Sequence, residues 1–225
     1  MSIGIIGAME VETQKLLENM VDIESKTIGP FVYYVGKLFG KKIVVCTSLE
    51  GKVNSAICTQ IMIQNFDVEK VINIGVAGGL AKKLDIGGIA ISNATVEFDQ
   101  DTTALGYELG HTFGLEKVVI ECGKFANDIY DIAKINNNVV CGTVASSDRF
   151  VVDTETKDML VNKFDAIAVD MESASINHVC KLNNIDFCAV RGISDSGSDV
   201  EYSKFVEVAM KNINDVIFEY IKNIQ

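Results

Sequence analysis

VINIGVAGG, residues 71–79, decides how this chain folds, because a run rich in β-branched residues gives way there to small residues and glycine. A run that short reads as a buried strand passing into a turn. The pattern recurs in IGIIGA at 3–8, VVCGTVASS at 139–147 and IDFCAVRGIS at 185–194. GGIAISNATVEFD at 87–99 reads as a further long strand, and FVYYVGKLFG with KKIVVCTS (31–48) as a hairpin turning near Gly40 and Lys41. Between the strands, helices are predicted over 10–20, 53–64, 123–135, 153–163, 171–182 and 202–223. The helix at 53–64 fits the spacing of Ile57, Ile61 and Ile63 only loosely. Strands alternating with helices give an α/β fold around a central sheet, in which ligands sit at the carboxyl ends of strands.

The chain has 225 residues, 48% of them hydrophobic, and a single proline. No linker, repeat or low-complexity run interrupts it, so one domain over 1–225 is expected. A net charge of −11 argues against nucleic acid and anionic membrane, which are met by clustered Lys and Arg. The start, MSIGIIGAMEVE, lacks the basic residues of a signal peptide, and no apolar run approaches the ~20 residues that span a bilayer. A cytoplasmic protein is expected. Cys46, Cys58, Cys122, Cys141, Cys180 and Cys188 form no CxxC pair and sit mostly in apolar segments, as reduced core thiols do. Neither a zinc site nor a cysteine nucleophile is expected, since only His111 and His178 could serve as histidine partners.

Several polar residues stand at strand ends. In VDMESASINHVC (169–180) a strand gives way to a small-residue helix, and Glu172 falls in its first turn if Asp170 caps it. Glu172 reads either as an ordinary first-turn acid or as a charge beside a pocket. Glu10 and Glu12 lie two positions apart, on different sides of a helix, so one of them can line a cleft. GVAGG (75–79) lets backbone approach a ligand but lacks both the P-loop lysine and the GxGxxG spacing. Arg191 and Asp195, four residues apart in RGISDSGSD, form either a local loop ion pair or part of a site. Phe150, in SSDRFV, is a core plug or a stacking surface for a planar ligand. His178, beside Val179 in mid-helix, reads as a packed histidine without a catalytic role.

Taken together, IGIIGAMEVE, NIGVAGGLA, TALGYELG, FDAIAVDMESASINHVC and VRGISD resemble the nucleoside phosphorylase and nucleosidase superfamily, and most closely the 5′-methylthioadenosine/S-adenosylhomocysteine nucleosidases. The resemblance spans almost the whole chain. It implies a single nucleoside phosphorylase-like domain with a mixed twisted sheet flanked by helices, and hydrolysis of the N-glycosidic bond of 5′-modified adenine nucleosides without metal or cofactor. By that resemblance Glu12 is the general base for the attacking water, Arg191 helps fix the water, and Asp195 delivers a proton to adenine N7. Glu172 accepts from the ribose hydroxyls and Met171 packs under the sugar. Phe150 stacks on adenine and the Val151 backbone reads its edge. Met9, Val76, Ala77, Gly78, Ser194 and Tyr202 complete the substrate surface.

Two residues depart from the family pattern: Glu50 stands where an aliphatic residue usually faces the 5′-alkylthio group, and Val76 replaces a common hydroxyl residue. A carboxylate facing a thioether is costly unless it is solvated or paired. Hence Glu50 either points away or favours a polar 5′ group. The rival readings are a phosphorolytic enzyme of the same superfamily and a non-catalytic nucleoside-binding protein. The resemblance also implies a homodimer in which TALGYELGHTF (103–113) of the neighbouring subunit closes the 5′ pocket, with Leu105 and Phe113 as its wall. The family's usual proline in that segment is missing.

Overall fold

Ser2–Gly7 forms β1, and all six of its residues are buried. A strand covered on both faces needs helices on both sides of its sheet. The computed structural model describes residues 2–135, 137–195 and 199–224, apart from the side chains of 195 and 199–204. After β1 come α1 (Glu10–Asn19), the strands β2 (Val21–Ile28), β3 (Phe31–Leu38) and β4 (Lys41–Thr47), and α2 (Lys52–Phe66). Then follow β5 (Lys70–Gly79), β6 (Ile89–Glu97), β7 (Ile120–Glu121), α3 (Ala126–Ala133) and β8 (Val139–Ser146). The chain ends with α4 (Thr154–Phe164), β9 (Ala166–Asp170), α5 (Ser173–Leu182), β10 (Asp186–Asp195) and α6 (Asp199–Asn223).

Among the described residues the strands form one mixed sheet in the order β10-β6-β8-β9-β5-β1-β4-β3-β2, with β7 on β6. β1 runs parallel to both neighbours, Ile5 lying opposite Val45 and Ile72. β5 is shared. Along most of its length it pairs in parallel with β10, while Gly78 and Gly79 at its end pair antiparallel with Val169 and Ala168 of β9. These two pairings close β5, β10, β6, β8 and β9 into a ring.

One face of the sheet packs Ile3, Ile5 and Ile72 against Leu16 of α1, Ile129 of α3 and Ile213 and Ile217 of α6. The other packs Ile6, Val44 and Val71 against Cys58, Met62 and Phe66 of α2 and Ile176 and Cys180 of α5. Burying a large apolar side chain contributes about 1.5–3 kcal/mol, so these two layers drive the fold. The buried stripe of α2 is Ser55, Cys58, Thr59, Met62 and Phe66, while Ile61 and Ile63 pack against it only partly buried. Val53 and Ile57 are exposed instead.

The β3–β4 hairpin turns at Phe39 and Gly40, one residue earlier than expected, with φ of 50° and 79°. Two successive positive φ values match the right-handed twist of the flanking strands. β2 escaped the sequence reading because as an edge strand it is almost wholly exposed and has no apolar alternation. Four of the six cysteines are buried, all six are free thiols, and burial pushes Cys122 up to about 12, which leaves it an inert core residue. Among the described residues, no helix is long and apolar enough to cross a membrane.

Candidate active site

The chain leaves β1 at Gly7, and within five residues it buries a carboxylate. Glu12 is the third residue of α1, where backbone N–H groups have no partner inside the helix. Its Oε2 accepts from Ala8 N at 2.6 Å and Met9 N at 3.0 Å, and its Oε1 accepts from Val76 N at 3.0 Å across the sheet. Glu10 is exposed, and Glu12 is the acid of the pair that lines the cavity at the strand ends. Burial raises the Glu12 pKa above 4.5, opposed by Arg191 and by the three N–H donors. Gly75 makes this approach possible, since a Cβ there would collide with both Glu12 Oε1 and Arg191 Nη1.

A second group of charges lies where β9 passes into α5. Glu172 is the N-cap residue of α5 and not part of its first turn. The capping carboxylate belongs to Asp170, whose Oδ1 accepts from Glu172 N at 3.3 Å and Ser173 N at 3.2 Å. Ser146 of β8 completes the cap by donating to Asp170 at 2.5 Å and accepting from Ala174 N at 2.9 Å. Arg191, only 1% exposed, crosses from β10 with Nε 2.7 Å from Asp170 Oδ2 and Nη2 3.3 Å from Glu172 Oε2. It also donates to Ser173 Oγ at 3.2 Å and to the Asn73 carboxamide. Arg191 is a buried strand residue whose described partners come from β5, β9 and the start of α5.

Glu172 keeps acceptor capacity. Its Oε1 takes Gly51 N at 2.9 Å and its Oε2 takes Arg191, which uses two of about four lone-pair positions. Burial pushes its carboxyl up to about 7; Arg191 pulls it down, and Asp170 and Glu12 push it further up. The pocket thus holds an acid that changes charge near neutrality.

These groups surround a cavity of about 280 Å³. Met9, Glu12 and Glu50 line one side, and the end of β5 supplies Val76, Ala77 and Gly78. Phe150 and Val151 come from the loop after β8, Met171 and Glu172 from the β9–α5 junction, and Ser194 from the end of β10. Phe150 lines the cavity and is half exposed rather than a core plug. Glu50 is exposed to solvent at the rim, so its charge carries no burial penalty. The side chains of Asp195 and Tyr202 lie outside the described residues, although the Asp195 backbone pairs with Gly78. Leu105 and Phe113 do not line this cavity; both are exposed, and Phe113 packs edge-on against Tyr107 and His111.

Arg149, Val169 and Asp170 also line the cavity and were not anticipated as part of it. Asp170 carried a readable signal as a possible helix cap, but its ion pair with Arg191 joins residues far apart in sequence. Asn73 and the Gly51 N–H left no signal at all. His178, expected to be merely packed, places Nδ1 3.0 Å from Glu97 Oε1.

The phosphorylase superfamily model matches residues 2–222. A 5′-methylthioadenosine/S-adenosylhomocysteine nucleosidase from Shewanella loihica is 32% identical over 234 residues, covering 100% of both chains. The crystal structure of the nucleosidase of that name from Neisseria meningitidis, in complex with methylthio-immucillin-A, superposes with a TM-score of 0.94 at 32% identity over 99% of each chain. A futalosine hydrolase from Helicobacter pylori superposes with a TM-score of 0.89 at 34% identity over 97% of each chain.

Proposed function

Since the chain belongs to the phosphorylase superfamily, and within it to the 5′-methylthioadenosine/S-adenosylhomocysteine nucleosidases, we propose a role for each residue of the cavity in the reaction of that family. The enzyme hydrolyses the N-glycosidic bond of 5′-methylthioadenosine and S-adenosylhomocysteine and releases adenine. Water adds its oxygen to C1′ and gives a proton to Glu12. The C1′–N9 bond breaks as Asp195 protonates N7, which turns adenine into a competent leaving group. The sugar develops oxocarbenium character, stabilised by the nearby carboxylates. Glu172 receives the ribose hydroxyls on its open lone pairs, Met171 packs beneath the sugar, and Phe150 and Val151 hold adenine.

The observation that carries this assignment is the buried Glu12 carboxylate, set by three backbone N–H groups at the cavity wall and made more basic by burial. Arg191 acts by holding Asp170 and Glu172 in place, and through Gly75 it stands beside Glu12. Phosphorolysis is the weaker reading. A phosphate needs free cations, whereas the Arg191 guanidinium is engaged by Asp170, Glu172 and Asn73, and Arg149 pairs with Asp153 at 3.3 Å.

The enzyme works as a single domain over 1–225, in the cytoplasm and as a homodimer. Exposed Val53 and Ile57 on one face of α2, together with exposed Leu49, Leu105 and Phe113, support a neighbouring subunit that closes the 5′ end. Adenine release in phosphate-free buffer from 5′-methylthioadenosine, S-adenosylhomocysteine and adenosine tests the roles. Wild type should release adenine, and Asp195→Asn and Glu12→Gln should each lose about 10²–10⁴-fold in kcat. A variant that keeps kcat within threefold removes that residue from the chemistry.

A further inference from the structure

Outside the reacting groups, a closed ring of contacts ties three distant segments together beside the cavity. Lys52, the first residue of α2, has a side chain only 15% exposed, with Nζ 2.6 Å from Asp99 Oδ1 and 3.2 Å from Glu97 Oε2. Its own backbone N donates to Asp148 Oδ1 at 2.8 Å, and Asp148 N donates to Asp99 Oδ2 at 3.0 Å. The cycle Lys52, Asp148, Asp99 is therefore complete, with His178 bracing Glu97 from α5.

The cycle touches both halves of the substrate surface. The peptide N–H before Lys52 belongs to Gly51 and holds Glu172 Oε1 at 2.9 Å. Asp148 begins the turn that presents Arg149, Phe150 and Val151 to the cavity. Two successive N–H groups at the start of a fifteen-residue helix thus grip one carboxylate on the ribose side and one on the base side. Their positive end of the helix dipole favours both anions. Gly51 itself has φ of 94° and a Cβ there would stand 3.1 Å from Asp148 Oδ1, so the close approach depends on glycine.

We infer that Lys52 is a positioning residue, which fixes the spacing between the group that binds ribose (Glu172) and the loop that binds adenine (Phe150 and Val151). The inference rests on the substrate roles given above. A cation held between two carboxylates with most of its side chain withdrawn from solvent is well suited to the task, since removing it leaves Asp99 and Glu97 repelling one another across the gap. Asp99 would then release Asp148, and the adenine loop would lose its register with Glu172.

The test measures kcat and KM for 5′-methylthioadenosine, and adenine affinity by titration, in wild type, Lys52→Met, Lys52→Arg, Asp148→Ala and the double variant Lys52→Met with Asp148→Ala. Lys52→Met and Asp148→Ala should each raise KM and the adenine Kd about tenfold or more, with kcat falling less than about threefold. The double variant should be no worse than the poorer single one by more than about twofold, because both break the same cycle. Lys52→Arg should recover most of the loss. Should Lys52→Met fail to fold, Asp148→Ala alone must show the same rise in KM. A KM within twofold of wild type in Asp148→Ala, additive losses, or loss confined to kcat would overturn the positioning role. A wild type that releases no adenine would overturn the underlying assignment instead.

Discussion

Replacing Arg191 with methionine removes a guanidinium and keeps much of its volume. In the folded protein it leaves Asp170 and Glu172, both buried, without their shared cation. Breaking a buried ion pair by deleting one partner costs about 3–5 kcal/mol. The pH dependence is more diagnostic. Glu172 stands at about 7 in the folded protein against an ordinary 4.5, so it binds its proton more tightly folded than unfolded. Its contribution to stability is complete below 4.5 and is lost as pH rises through about 7. Arg191 is the main influence pulling that carboxyl down, so in the variant Glu172 rises above 7. Between pH 7 and 8 wild-type Glu172 ionises while the variant holds its proton, and the deficit grows by about 1.4 kcal/mol per pH unit. Urea unfolding at pH 6 and pH 8 should therefore show a loss about 1–2 kcal/mol larger at the higher pH. A loss below about 1 kcal/mol, or one equal at both pH values, would refute the reading of Arg191 as the counter-charge of this pocket.

Gly75→Ala drives a methyl group into Glu12 Oε1 and Arg191 Nη1. Overpacking of this kind costs about 1–3 kcal/mol, and adenine release should fall about a hundredfold or more; wild-type turnover in the variant would show that the contact relaxes without consequence. Glu50→Leu replaces a solvated rim acid by an apolar side chain. It should raise kcat/KM for 5′-methylthioadenosine relative to S-adenosylhomocysteine by about five- to tenfold, and an unchanged ratio would remove Glu50 from recognition of the 5′ group.

The parts of the site that could be read from sequence were those governed by local rules. Glu12 and Glu172 follow strands at helix starts, where unpaired N–H groups attract carboxylates, and both occupy the cavity. Phe150 was open to two readings because exposure of a ring depends on packing that sequence does not specify. Arg191 was read at the end of its strand, but the choice between a local ion pair and a site stayed open, because its described partners come from β5, β9 and the start of α5 and nothing in RGISDSGSD itself points to them. The strand and helix order emerged because the apolar cores of IGIIGA and VINIGVAGG are buried on both faces and read as continuous apolar runs. β2 did not, since a strand at the margin of a sheet needs no apolar face. The isoleucine spacing fitted α2 only loosely because Ser55, Cys58, Thr59, Met62 and Phe66 face the sheet instead.

The closed ring formed by β5, β10, β6, β8 and β9 has a consequence for how the molecule opens. Arg191, Asp170, Val76, Ser146 and Glu97 all lie on strands of that ring. A strand inside a ring cannot peel away from a free margin, so its amides reach solvent only when several neighbours separate together. The β2–β3 hairpin at the far side has no such restraint and can fray alone. Hydrogen–deuterium exchange should thus be slowest in the strands that carry the chemistry, and the pocket keeps its shape through local openings elsewhere.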